Sequence, residues 1–166
     1  MNAASETANE FIFGPALASD AEALVSIDAG SPQPWTARAF MGELGTEPPS
    51  LFVLRSQGRA VAFVVARRQG PEMDIVNLAV APALRRRGLG LKLLLSVIDR
   101  AASSGVETAF LEVREGNLEA RALYQAVGFR EFQRRSGFYR DPVEDALLLR
   151  LGMSPIDRLK APRNAC

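Results

Sequence analysis

A chain of 166 residues has the length of one domain with room for a sizeable core, and 48% apolar and 23% charged residues are the proportions of a globular protein. A net charge of +1 argues against a surface built for nucleic acid, and no apolar run is long enough to span a membrane. There is no histidine, and the one cysteine is Cys166, so zinc or other metal sites, Ser-His and Cys-His triads and internal disulfides are not expected.

Acid–base chemistry therefore falls to carboxylates, tyrosine, lysine or water. The lone cysteine, and an N-terminus (MNAASETANE) without the basic-then-apolar layout of a signal peptide, fit a cytoplasmic location.

Residues 1–9 are small and polar and read as a flexible arm. A first strand is expected over residues 11–13. Ser19-Asp20-Ala21-Glu22 has capping-box spacing and opens a helix running to about Ala29. Pro32 and Pro34 interrupt the chain, and Thr36 caps a second short helix ending near Leu44. Strands are expected over residues 51–55 and 60–66 around the turn Ser56-Gln57-Gly58, and then over Glu72–Val80.

Leu91, Leu94, Leu95, Ile98, Ala101 and Ala102 recur with the spacing of one buried helix face, and Gly105 stops that helix. Thr108–Arg114 reads as a strand, and Asn117 opens a helix that ends at Gly128. Strands over residues 130–138 and 145–151 complete the order β-α-α-β-β-β-α-β-α-β-β. That order describes a single mixed α/β domain over residues 10–152. Residues 153–166 are Pro-containing, charged and aperiodic, and read as a flexible tail.

The most informative stretch is VAPALRRRGLGLKLL, residues 80–94, where an apolar strand turns into an apolar helix. A helix start offers unpaired N–H groups and partial positive charge, glycine lets backbone approach a ligand closely, and arginine adds donors for phosphate oxygens. A pyrophosphate cradle fits this combination; so does a solvated charge run before a helix. Two other phosphate motifs do not match. No G-x-x-x-x-G-K-[ST] run is present, and the third glycine of G-x-G-x-x-G is replaced by Leu93.

Arg85-Arg86-Arg87-Gly88-Leu89-Gly90 resembles the [QR]-x-x-G-x-[GA] signature of the GCN5-related N-acetyltransferases, which bind acetyl-coenzyme A. VNLAVAP (residues 76–82) extends the resemblance upstream. LEVREGNLEARALYQAVGF (residues 111–129) resembles the ribosomal-protein-alanine N-acetyltransferase subgroup at every fixed position of L-E-V-R-x-x-N-x-x-A-x-x-L-Y-x-x-x-G-F. QPWTARAF (residues 33–40) and EDALLL (residues 144–149) resemble two further segments of that subgroup.

The resemblance implies a splayed, mostly antiparallel mixed sheet flanked by helices. It implies that N–H groups over residues 86–91 hold the pyrophosphate, and that Leu78, Ala79 and Val80 hold the pantetheine arm, with Ala79 and Val80 N–H groups facing the developing oxyanion. The implied acceptor is a protein N-terminal α-amine, with ribosomal protein S18 suggested by the subgroup. A small-molecule amine, a lysine, and a non-catalytic acyl-coenzyme-binding module are the alternatives.

Two residues carry the implied chemistry. Glu112 shares a strand face with Phe110 and Arg114, so it is either a carboxylate partly desolvated by Phe110 and working as a base, or an exposed residue paired with Arg114. Tyr124 follows Asn117 by two helical turns, which puts both on one face. Its phenol suits protonation of a leaving thiolate; the alternative is a core aromatic with its hydroxyl at the rim. Without an internal cysteine, an amine must attack the thioester directly. A free α-amine, of pKa about 7.7–8.0 against about 10.4 for lysine, is the easier one to deprotonate. Trp35 reads as a packing residue or a wall of the acceptor groove, and Phe138-Tyr139 resembles an aromatic pair beside that groove in the subgroup.

Overall fold

The computed structural model describes residues 10–153; the expected arm over residues 1–9 and the tail after Met153, with Cys166, lie outside the described residues. The strands are β1 (Ile12–Pro15), β2 (Leu51–Ser56), β3 (Arg59–Gln69), β4 (Glu72–Val80), β5 (Thr108–Arg114), β6 (Arg130–Arg140) and β7 (Val143–Gly152). The helices are α1 (Ala21–Asp28), α2 (Ala37–Glu43), α3 (Leu89–Ser103) and α4 (Leu118–Val127). One seven-stranded sheet runs in the order β1-β2-β3-β4-β5-β7-β6. The pair β4–β5 is parallel and the others are antiparallel.

β2 and β3 are buried on both faces, which is why they read as near-continuous apolar runs rather than as alternation. Phe52, Leu54, Ala62 and Val64 face one core with α3 and α4, while Val53, Phe63 and Val65 face the other with Leu24 of α1 and Phe40 of α2. Each large apolar side chain fully buried contributes about 1.5–3 kcal/mol.

Three local expectations are corrected. The buried face of α3 is Leu89, Leu93, Leu94, Val97, Ile98 and Ala101, and Leu95 is exposed. The crowd of leucines between 89 and 95 fits more than one helical face, and packing against the sheet decides which is buried. The cap before α1 is not Ser19: a short 3-10 turn over Ala18–Asp20 intervenes, and Asp20 takes the Leu17 N–H at 2.7 Å and pairs with Arg55 at 2.5 Å. Met153, expected at the start of the tail, is 4% exposed in the core, with its N–H on Glu107 O at 2.8 Å.

The feature that positions the site is a fork in the sheet. β4 and β5 pair only from Glu72↔Thr108 to Ile75↔Leu111. At that point the β3–β4 register shifts, because Val65 faces Asn77 while Ala66 faces Ile75, and Val76 is the extra residue. A bulge bends its strand and increases its twist. Beyond it β4 stays with β3 and β5 stays with β7, so a slot opens between residues 76–80 and residues 112–114.

Candidate active site

On the α3/α4 side of the slot lies a groove of about 410 Å³. Its floor is Leu78, Ala79 and Val80 of β4, and its far end is the arginine–glycine turn. Asn117 at the cap of α4 and Ala120, Leu123 and Tyr124 within it form one wall, and Asp28 at the end of α1 with Ser31 and Pro32 beyond it form the other.

The turn is built for close approach. Arg86 and Gly88 both have left-handed backbone, φ 59° and 74°, which lets successive N–H groups converge on one point. A Cβ built at Gly88 meets nothing within 4 Å, so the space beside it is open to a ligand. Gly90 has a different reason: a Cβ there would stand 3.4 Å from Leu123 and 3.7 Å from Val80, so glycine lets α3 seat against α4 and β4. Two bare positions one residue apart thus serve a ligand and a helix contact respectively.

The three arginines separate. Arg86 lines the groove with Gly88, Leu89, Gly90 and Leu91. Arg85 also lines it, but turns back to donate from Nε to Val80 O at 3.2 Å. Arg87 is exposed and is not among the lining residues.

Tyr124 and Asn117 both line the groove, as their spacing implies. Asn117 caps α4, its Oδ1 accepting the Ala120 N–H at 3.1 Å. Tyr124 is 9% exposed, its ring packed edge-on against Phe129 with centroids 5.9 Å apart. Burial pushes its phenol up to about 12, so it stays protonated through the neutral range and is available as a donor.

Glu112 lies on the opposite sheet face, in a second groove of about 580 Å³ with Pro32, Gln33, Val76, Arg114, Phe138 and Tyr139. It is exposed rather than desolvated by Phe110, whose ring packs against Phe132 at 5.8 Å. Its partners come from β6. Tyr139 donates its hydroxyl to Oε1 at 2.9 Å, and Arg135 Nη1 stands 3.4 Å from Oε2.

The β6–β7 register shift between Arg135 and Tyr139 brings Tyr139 there. Gly137 makes that bend with φ 58°, and its N–H is held by Asp145 Oδ1 at 2.9 Å. Arg114 does not pair with Glu112. It lies over the Tyr139 ring at 3.9 Å and pairs with Glu144 at 3.3 Å. Partial burial and the Glu112 carboxylate push the Tyr139 phenol up to about 12. Phe138 is 46% exposed, with Arg135 over its ring at 5.5 Å.

Trp35 packs on Phe40 with centroids 5.5 Å apart and lies beneath Arg67, outside the residues lining either groove. The sequence reading passed over Asp28, Ser31, Asn77 and Arg135. Asp28 ends an apolar helix and gave one usable signal, a carboxylate where the pattern calls for a buried side chain.

Residues 19–129 match the acetyltransferase (GNAT) family model. The Escherichia coli ribosomal protein bS18-alanine N-acetyltransferase is 37% identical over 123 residues, which cover 73% of this chain and 82% of that protein. The N-alpha-acetyltransferase RimI of Mycobacterium tuberculosis is 35% identical over 121 residues, 70% of this chain and 75% of the relative. The crystal structure of the ribosomal-protein-S18-alanine N-acetyltransferase from Escherichia coli matches with a TM-score of 0.80 at 31% identity, covering 95% of this chain and 99% of that one. With a forked sheet, a glycine turn at the slot and these relatives, the chain belongs to the GNAT acetyltransferase family and is an acetyl-coenzyme A-dependent N-acetyltransferase.

Proposed function

We propose that the chain acetylates a protein N-terminal α-amine, with the N-terminal alanine of ribosomal protein S18 as the acceptor that its relatives' names supply. The observation that carries this reading is the shape of the Glu112 side. The groove around Glu112 adjoins a second hollow of about 330 Å³ between Phe110, Phe132 and Leu148, and Glu112 lines both. A small amine is best held in an enclosed pocket. An open trench along a sheet face suits an extended chain.

The donor side fits the coenzyme: a floor of unpaired strand edge, a turn with left-handed backbone at Arg86 and Gly88, and a bare approach at Gly88. N–H groups over residues 86–91 and the Arg86 side chain would hold the pyrophosphate, and residues 78–80 the pantetheine arm. When bound, acetyl-coenzyme A supplies an activated acetyl group. With no histidine and no internal cysteine in the chain, the acceptor amine attacks directly. Glu112 takes the proton from the amine; Tyr139 fixes Oε1, and the long contact from Arg135 leaves Oε2 the readier acceptor. Tyr124 gives its proton to the departing sulfur, and its burial keeps that proton in place until then.

The test is acetylation of three acceptors by the full chain: a peptide with the S18 N-terminus, the same peptide blocked at its α-amine but carrying a lysine, and a panel of small amines. Mass spectrometry should find one acetyl group on the α-amine of the first. Turnover confined to lysine or to the small amines would overturn the acceptor assignment.

A further inference from the structure

Asp28 is the last residue of α1, fully buried at 0% exposure. A carboxylate at a helix C-terminus opposes the partial negative charge of the last carbonyls, so the helix gains nothing from it. Its Oδ2 takes the Trp35 N–H at 2.7 Å and Asn77 Nδ2 at 3.3 Å. Its Oδ1 is buried without a hydrogen-bond partner among the described residues, and so is the hydroxyl of Ser31. Both residues line the coenzyme groove. Buried polar groups left unpaired are rare and costly, and a site that binds a ligand is one of the few reasons to keep them.

We propose that Asp28, assisted by Ser31, receives the α-ammonium of the acceptor as it enters the slot, and that this contact selects chains with a free N-terminal amine. The inference rests on reading the acceptor as a protein N-terminus. Three observations favour an ammonium over an amide of the coenzyme. Both donors to Oδ2 are neutral, and the nearby cation, Arg85, is turned to Val80 O, so the buried carboxylate lacks a positive partner that the acceptor brings. Asn77 precedes Leu78 and so stands at the forked end of β4, away from the turn that would hold phosphate. Pro32 lines both grooves, and Asp28 ties down the loop carrying Pro32 and Gln33 through Trp35 N–H. Asp28 thus binds and orients the amine, and Glu112 remains the group that takes its proton.

The test compares two peptides of the S18 N-terminal sequence, one with its α-amine and one with that amine replaced by hydrogen. Their affinities are measured on the full chain saturated with coenzyme A. Wild type should prefer the amine about tenfold or more, the size of a charge-assisted hydrogen bond. In Asp28→Asn the preference should fall to near unity while the coenzyme Kd is unchanged. Ser31→Ala should reduce it several-fold, and this variant serves if Asp28→Asn does not fold.

An unchanged preference in either folded variant overturns the inference. So does a fall in coenzyme affinity with the preference intact, which would assign Oδ1 to the coenzyme. A wild type that acetylates the peptide yet binds both forms equally defeats this inference alone, whereas a wild type that acetylates no N-terminal peptide defeats the acceptor assignment and this inference with it.

Discussion

The two sides of the slot are made of different materials. The side proposed for the coenzyme is dominated by backbone: a strand edge and a turn with two left-handed residues, with one buried phenol and a few polar side chains on its walls. The side proposed for the acceptor is a network of exposed and half-buried side chains, Glu112, Tyr139, Arg114, Glu144 and Arg135, joined by hydrogen bonds and ion pairs across three strands. A backbone cradle tolerates many sequences so long as the glycines stay. A side-chain network changes with any one of its members. One enzyme can therefore keep its donor while its acceptor is free to change.

The sharpest way to break this comparison is to remove one acid–base group from each side. Tyr124→Phe and Glu112→Gln should each lower kcat by about 10²–10⁴-fold. They should differ in pH response. The Glu112→Gln loss should shrink as pH rises and the acceptor amine loses its proton to solvent, whereas the Tyr124→Phe loss should persist. Parallel pH profiles for the two variants would contradict the division of roles.

Gly88→Asp puts a negative charge beside the cradle, while Gly88→Asn keeps the shape without the charge. The aspartate variant should bind acetyl-coenzyme A about ten- to a hundredfold more weakly than the asparagine variant at low salt, with the gap closing as salt is added. Equal binding measured by calorimetry would remove the anion from that turn.

Tyr139→Phe deletes one hydrogen bond to a carboxylate, so kcat/KM for the peptide should fall about tenfold while coenzyme affinity holds. A fall in coenzyme affinity instead would show that the two sides are not separable.

The smallest effect concerns stability. The Tyr124 phenol lies at about 12 in the fold against an ordinary value of 10. Its contribution is whole below pH 10 and is lost between 10 and 12, where the unfolded chain gives up its proton first. Tyr124→Phe should therefore lose less stability than wild type across that window, by up to about 2 kcal/mol in denaturant titrations.

The same contrast decides how much was legible in the sequence. The coenzyme side lies within short spans: residues 78–91 hold the strand edge, the turn and the helix start, and Asn117 and Tyr124 sit on one helix face. Local spacing reveals such a site. The acceptor side joins residues far apart in the chain. Tyr139 reaches Glu112 across 27 positions and Arg114 reaches Glu144 across 30, through a β6 bulge that Gly137 hints at but does not specify. Periodicity placed Glu112 on the correct face of β5, yet could not tell that Phe110 would turn to Phe132 and leave the carboxylate exposed. Asp28 was missed for the same reason, since its partners Trp35 and Asn77 meet only in the fold.

The fork has a kinetic consequence. Only four residue pairs hold β4 to β5 before the strands part, so the sheet is a wall with a window in it. In the proposed assignment donor and acceptor reach that window from opposite faces, the one past α4 and the other past β6. The proposed layout requires neither reactant to leave before the other arrives.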